Sequence, residues 1–437
     1  MAEEAILNIV LLLLDNRCKI KLDRLIVVGF LNGDGKFMEE IIGKKATAIS
    51  YAKTIDENAR AQIARMCDYE FTVGSKIRIM PDVHAGKGCT IGTTMTVTDK
   101  VVPNIVGVDI GCGMYTVRLE TSNIDFLRLD EAAHFIPSGR NVWDEKQENF
   151  DISKLHCYDG LKNKSWIENS IGTLGGGNHF IEVDKASDGT FYLVIHTGSR
   201  NLGKQVAELY QELAVELNVG KASYFEQREK LIKEYKATGR QSEIQVGLKE
   251  LENNRRKTSI PADLCYVYGE YLTKYLQDVE LCQEFARLNR ENIAKILTER
   301  AGIRGGEGFH TIHNYIDTQE MILRKGAIAA HKNEKVLIPI NMRDGSILAV
   351  GKGNADWNYS APHGAGRTMS RMQAKEQLNL ADYKQAMTGI YTTSVNESTL
   401  DEAPMAYKSL RDITDVIGDT VDVIDVLKPV YNFKAAE

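Results

Sequence analysis

The sequence predicts an α+β fold, one large domain with a β-rich core, surrounding helices and a helical insertion. Three observations predict it. Short β-like runs separated by glycines fill residues 71–120, and the same style returns at 171–196 and after 310. Between them, residues 201–300 turn rich in Glu, Lys, Leu and Gln. There Leu272, Tyr275, Val279, Cys282 and Phe285 recur at spacings of three and four, which is one face of a helix. Neither an internal repeat nor a low-complexity tract breaks the chain into modules.

Composition agrees. The chain has 437 residues, 43% hydrophobic and 26% charged, enough to build a core and unlike a disordered polymer. Its 36 glycines against 8 prolines exclude a collagen or linker and point to tight backbone positions inside a folded body. The net charge of −6 argues against a protein that coats nucleic acid through bulk charge, while allowing a local basic groove. Seven cysteines, an odd number with no C-x-x-C, fit a reduced, cytoplasmic setting without a disulfide framework. The longest apolar stretch, residues 5–14, is interrupted by Asn8, falls short of the roughly 20 residues a membrane span needs, and follows Glu3 and Glu4 instead of a basic segment. No membrane or export segment is expected.

Residues 1–37 stand apart. The apolar run is followed by Arg17, Lys19 and Lys21, a second apolar run at 25–31, and the turn cluster Asn32-Gly33-Asp34-Gly35. Two readings suit this segment: upstream translated sequence ahead of a start at Met38, or a small accessory element. Residues 38–437 then form the one large domain, with the helical insertion at about 201–300. Helical spacing runs from Glu57 to Tyr69 through Ala59, Ile63, Ala64 and Cys67. Strands are expected at 75–80, 93–97, 114–119, 180–183 and 191–195, and the highly charged stretch 221–256 reads as a solvated helical part of the insertion.

The histidines carry the chemistry. His84 (MPDVHAGKG), His179 (GTLGGGNHF), His196 (VIHTGSRNLG) and His363 (SAPHGAGR) fall in glycine-rich or strand-end loops, and His313 sits in HTIHNY. Singly, each would be an ordinary hydrogen-bonded histidine; five in one chain favour a shared site. Asp109 and Cys112 lie in NIVGVDIGCGM, where the apolar run 105–108 places Asp109 at the end of a buried strand and Gly111 and Gly113 leave the Cys112 sulfur sterically free. Carboxylate, thiolate and imidazoles together suit a divalent transition metal, and a thiolate has lone pairs enough to bridge two ions. Three basic elements suit phosphate groups: Arg200 and Lys204 after His196, Arg324-Lys325-Gly326, and Arg367 and Arg371 after His363, the last two on one face if that segment is helical. Arg200, Lys204, Arg367 and Arg371 are the leading candidates among these. No Walker loop is present and the glycines at 172–177 do not fit a Rossmann fingerprint, so any nucleotide is held by another design.

The motifs MPDVHAGKGCTIG, GVDIGCGM, GTLGGGNHFIEV, HTGSRNLG, HNY, RKGA, APHGAGR-x-x-SR and DEAPMAYK, in that order, resemble the RtcB-type RNA ligases from about Met38 to near the C-terminus, in a shorter bacterial branch. The resemblance implies the β-rich fold particular to those enzymes. It implies joining of RNA ends bearing a 2′,3′-cyclic phosphate or 3′-phosphate to 5′-hydroxyl ends, with GTP and two Mn2+ ions as cofactors. It makes Asp109, Cys112, His179, His196 and His313 the metal ligands, Cys112 bridging, and His363 the nucleophile that becomes guanylylated. Guanylate contacts would come from Asn178, His179, Phe180, Ile181 and Glu182, then His313 and Asn314. Further on they would come from Pro339, Ile340, Asn341, Met342 and Ser346, from His363, Gly364, Ala365 and Gly366, and from Lys434. Two places depart from the family pattern: Pro339-Ile340-Asn341 replaces a Gly-Ser pair before Met342, and Ala435 replaces the glycine after Lys434. The RNA partner is implied; whether an archease-like activator takes part is left open. The same ligands would also serve a metal-dependent phosphohydrolase acting on terminal or cyclic RNA phosphates without GTP, and an RNA-end-binding module without turnover is the third reading.

Overall fold

The computed structural model describes residues 17–22, 25–31, 37–86, 88–219, 221–253 and 260–434. The apolar run at 5–14, the turn cluster at 32–35 and Ala435 lie outside the described residues. The chain opens with strands β1 (Arg17–Leu22), β2 (Leu25–Leu31), β3 (Phe37–Ile42) and β4 (Thr47–Ser50). Helix Glu57–Met66 follows; the Asp56 carboxylate caps it by accepting from the Ala59 amide, and it buries Ala59, Ile63 and Met66. Then come β5 (Ile77–His84), β6 (Ile91–Thr96), β7 (Lys100–Val101) and the single-turn helix Pro103–Val106. That turn corrects the expectation of a buried strand before Asp109. Pro103 at its first position supplies a helical φ and no amide donor for a ladder, and apolar content alone cannot separate a short strand from a helical turn.

β8 (Gly113–Leu119) leads through helix Phe126–Phe135 to the hairpin of β9 (Phe180–Lys185) and β10 (Phe191–Thr197). Residues 200–301 are mostly helical: Arg200–Asn218, Lys221–Ala237, Ile244–Asn253 and, after β11 (Val267–Tyr268), the 32-residue helix Glu270–Ala301. The first and last of these pack into the core, burying among others Leu202, Val206 and Tyr210 from one and Tyr275, Val279 and Phe285 from the other. The described side chains of residues 228–250 are mostly exposed. The second half of the chain supplies β12 (Gly305–Ile312), β13 (Asn314–Asp317), β14 (Ile322–Lys325), β15 (Ala327–Ala329), β16 (Lys335–Asn341), β17 (Gly345–Gly351), β18 (Ser360–Pro362) and β19 (Val421–Lys434).

Two sheets result. One has eight strands in the order β1-β2-β3-β4-β5-β6-β14-β13, the other seven in the order β12-β8-β10-β9-β19-β17-β16. Helix Glu270–Ala301 joins their cores. Its first half (Tyr275, Val279, Cys282, Phe285) packs in the cluster that includes Ile77, Ile79 and Ile105, and its second half (Ile293, Ala294, Leu297) packs under Val117, Ile181, Leu193 and Ile195. At about 1.5 Å per residue such a helix is some 48 Å long, enough to reach both. β12 and β13 are consecutive strands of different sheets, so the link between them, His313, sits where the sheets meet. Among the described residues no helix is long and apolar enough to cross a membrane.

Candidate active site

The junction of the two sheets gathers the five expected ligand residues. Cys112 precedes β8, His179 precedes β9, His196 lies near the end of β10, and Asp109 sits in the turn after helix Pro103–Val106. Their donor atoms form two groups that share the Cys112 sulfur. Cys112 Sγ lies 3.4 Å from His196 Nε2, which is 3.0 Å from His313 Nε2. Cys112 Sγ also lies 3.6 Å from His179 Nε2, which is 3.1 Å from Asp109 Oδ2. Within each group the ligand atoms all fall within 4.8 Å of one another. Backbone carbonyls aim two of the rings: Leu174 O accepts from His179 Nδ1 at 2.9 Å, and Asn178 O from His196 Nδ1 at 3.2 Å, leaving each Nε2 for the centre.

This donor set fits a pair of divalent cations. Three Nε2 atoms, a carboxylate oxygen and a sulfur converge in a buried space, and one sulfur belongs to both groups. The charge states agree. Burial and the neighbouring His313, His179 and Lys434 push His196 well below the usual histidine range. Burial first, then His363, takes His313 down to about 3. Neutral imidazoles are the ligand form. Without a cation, burial would raise Asp109, but its hydrogen bond and attraction to His179 prevail and hold it below the usual carboxylate range, an interaction that an ion between the two would replace. Without a cation, burial and Asp109 push the Cys112 thiol up, with Arg290 pulling against them, so binding an ion would release its proton.

His363 adjoins this centre. Its ring centroid is 4.8 Å from that of His313. Its Nδ1 donates to Asp82 Oδ2 at 2.6 Å, and the same oxygen accepts its backbone amide at 3.1 Å. Asp82 is fully buried in β5. Its neighbour Pro81 has no amide hydrogen to give the ladder, and the β5–β6 pairing shifts register between Ile79 and His84, so the chain turns Asp82 toward β18 and His363. Gly366 closes the approach: its φ is +75°, and a side-chain carbon there would lie 2.5 Å from Asp82 O.

A cavity of about 360 Å³ opens beside His363, a size typical of small-molecule pockets. Asn178, Phe180, Glu182, His196 and His313 line it. Pro339, Ile340, Asn341, Met342, the His363–Gly366 stretch and Lys434 also belong to the lining. Ile181 does not line it, because alternation along β9 turns that side chain into the apolar core. Ser346 is fully buried behind it in β17. Asn314 also lies outside the lining, its Oδ1 accepting from the Gly326 amide at 3.0 Å. Asp109, Cys112 and His179 do not line it and belong to the candidate ligand group beside it.

The basic candidates divide. Arg367 and Arg371 line the cavity and reach Glu402 and Asp401, although Arg367 precedes helix Arg371–Gln377, so they share a destination and not a helical face. Arg200 instead braces the glycine-rich loop, donating to Thr173 Oγ1 and Gly139 O, and Lys204 is exposed near Glu208; neither lines the cavity. Several residues escaped the sequence reading. Asp82 was hidden inside a motif noted for His84, which itself lines the cavity. Glu402, in DEAPMAYK, accepts from Lys434 Nζ at 2.6 Å and Tyr407 Oη at 2.7 Å. Asn432 donates to Glu182 at 2.6 Å. The acidic residue of DEAP was the available signal for Glu402; for Asn432, only its place one alternation before Lys434.

Known proteins share this text. The sequence model of a family described as tRNA-splicing ligase RtcB matches residues 62–157 and 144–435. The RNA-splicing ligase RtcB of Escherichia coli (strain K12) is 28% identical over 425 residues, covering 87% of this chain and 95% of that protein. The tRNA-splicing ligase RtcB of Aeropyrum pernix is 26% identical over 427 residues, with 77% and 83% covered. The protein of the same name from Nanoarchaeum equitans is 26% identical over 431 residues, with the same coverage. With most of its length matched and the motif residues gathered at one junction, the chain belongs to the tRNA-splicing ligase RtcB family.

Proposed function

We propose that this RNA ligase joins a 2′,3′-cyclic phosphate or 3′-phosphate RNA end to a 5′-hydroxyl end, using GTP and two Mn2+ ions through a guanylylated His363. The observation that carries the reading is the His363 ring, fixed through Nδ1 by a buried carboxylate and set against His313 of the metal cluster. Asp109, Cys112, His179, His196 and His313 would hold the ions, which when bound supply charge neutralisation at phosphoryl oxygens and activation of water.

Asp82 keeps the proton on Nδ1, so the Nε2 lone pair is free to attack the α-phosphorus of GTP. A phosphorus–nitrogen bond forms, the bond to the bridging oxygen breaks, and pyrophosphate leaves. An oxygen of the RNA 3′-phosphate then takes the guanylyl group, and the phosphorus–nitrogen bond breaks to return the imidazole. The 5′-hydroxyl oxygen attacks the activated 3′-phosphorus, loses its proton, and GMP leaves. A cyclic phosphate is first opened by water. Glu182, Asn432 and Lys434, all lining the cavity, offer acceptors and donors for a base beside the Phe180 ring. Arg367 and Arg371, positive and at the cavity wall, suit phosphate.

The test is incubation with Mn2+ and GTP radiolabelled at the α-phosphorus. Label should attach to the protein and disappear in His363→Ala; a variant that still labels removes His363 as nucleophile. Phosphate released from cyclic or 3′-phosphate ends without GTP would favour the phosphohydrolase instead.

A further inference from the structure

Helix Glu270–Ala301 carries adjacent polar residues that no ligand role uses, Asn289 and Arg290, at 0% and 1% exposure. Arg290 makes no ion pair with a carboxylate among the described residues. Its Nη1 donates to Gly111 O at 2.7 Å and to Thr197 O at 2.9 Å, and its Nε lies 3.4 Å from His310 Nδ1. Gly111 precedes Cys112 and Thr197 follows His196, so one guanidinium nitrogen ties together the backbones of two residues of one ligand group. The helix comes close enough that a side-chain carbon on Gly111, whose φ is +78°, would lie 2.9 Å from the Gln283 Cα. A buried guanidinium without a partner is costly. Here its charge faces an anionic ligand set, Cys112 and Asp109 being the first two groups that favour it against burial.

Asn289 serves the other group. Its Oδ1 accepts from the amides of Gly172 and Thr173 at 2.8 and 3.0 Å, and its Nδ2 donates to Gly198 O at 3.0 Å. The first pair fixes the loop whose Leu174 O orients His179. The second fixes the turn whose Ser199 amide donates to Asp109 Oδ1 at 3.1 Å. Thr197 Oγ1 joins the two by donating to Leu174 O at 2.7 Å.

We infer that Arg290 and Asn289 are positioning residues for the metal centre, each assigned to one ion: Arg290 to the Cys112–His196–His313 group and Asn289 to the Asp109–Cys112–His179 group. Losing either disturbs its own group more than the other, because Cys112 is the one ligand they share. This rests on the two-ion reading above, and the experiment separates their failures.

Mn2+ binding to the full chain is measured by titration calorimetry in two backgrounds that should each hold one ion, His179→Ala and His313→Ala. If neither background binds an ion and the wild type does not bind two, the two-ion reading fails first. If it stands, Arg290→Met should weaken the ion remaining in His179→Ala by about 10- to 100-fold and leave that in His313→Ala within about threefold. Asn289→Asp, which keeps the acceptor and loses the donor, should show the reverse preference, and Arg290→Lys should recover part of the loss. Equal weakening of both ions, or none, overturns the inference. A general structural role would predict equal weakening, and the Lys and Asp variants keep the test available if larger truncations fail to fold.

Discussion

At the scale of single residues, chemistry depends on which atoms are left free. Asp82 gives His363 one defined tautomer, as a buried carboxylate does for any imidazole nucleophile or base. Asp82→Asn keeps the shape but offers an amide that can present either its oxygen or its nitrogen. The rate of guanylyl transfer from GTP should fall by about two to four orders of magnitude while Mn2+ binding is retained. Quench-flow labelling beside calorimetry checks the split, and an unchanged labelling rate counts against the tautomer argument. Glu402 gives a second prediction. Burial would raise its pKa, but Lys434 and Arg371 outweigh burial and hold it below the ordinary value. A carboxylate with a depressed folded-state pKa stabilises the fold fully above its unfolded pKa, and that stabilisation is lost as pH falls through the folded value. Glu402→Gln leaves Lys434 buried without its anion and should cost about 3–5 kcal/mol near pH 7. The difference from the wild type should narrow below about pH 4, as urea unfolding at several pH values would show. A gap that widens toward acid contradicts the assignment.

At the scale of elements, the ligand loops are precise because neighbouring backbones leave no room. Gly198 follows β10, and a side-chain carbon there would lie 2.5 Å from the Asp109 carboxyl carbon. Gly198→Ala should therefore push Asp109 aside and weaken Mn2+ binding by about tenfold or more, with the helices intact by circular dichroism. Normal binding would mean that the turn can yield. Such constraints explain what the sequence could and could not reveal. The apolar seam Leu272, Tyr275, Val279, Cys282 and Phe285 was legible because burial follows the helical period, and all five are buried. Asn289 and Arg290 on the same helix were not, because in a chain rich in charged helical text a polar residue reads as solvent-facing. The ligand residues stood out in sequence by residue type among glycines. Asp82 did not, since its role depends on β5 meeting the loop after β18, a contact across 281 positions. The segment before Asp109 misled for another reason: four apolar residues fit a strand or a helical turn equally well.

At the scale of the whole molecule, the candidate ligand set lies where the two large sheets meet, and the long helix spans both cores. The N-terminal hairpin lies at the far edge of the first sheet. β2 pairs with β3 from Ile26 opposite Ile42 to Leu31 opposite Phe37, and among the described residues β1 pairs only with β2. The family match begins at residue 62, beyond this hairpin. β3 has other anchors: it pairs with β4, buries Ile41, and its Glu39 carboxylate accepts from Arg60 Nε at 2.6 Å on helix Glu57–Met66. We propose that residues 1–37 are accessory to catalysis. A chain starting at Met38 should guanylylate at a rate within about threefold of the full chain, because local losses at a sheet edge need not reach a distant centre. It should also associate more readily, since β3 would become a bare edge with unpaired amides and carbonyls. Labelling kinetics and light scattering on the two forms test both halves. A shortened chain that stays monodisperse but loses labelling would show that the hairpin contributes to the active structure.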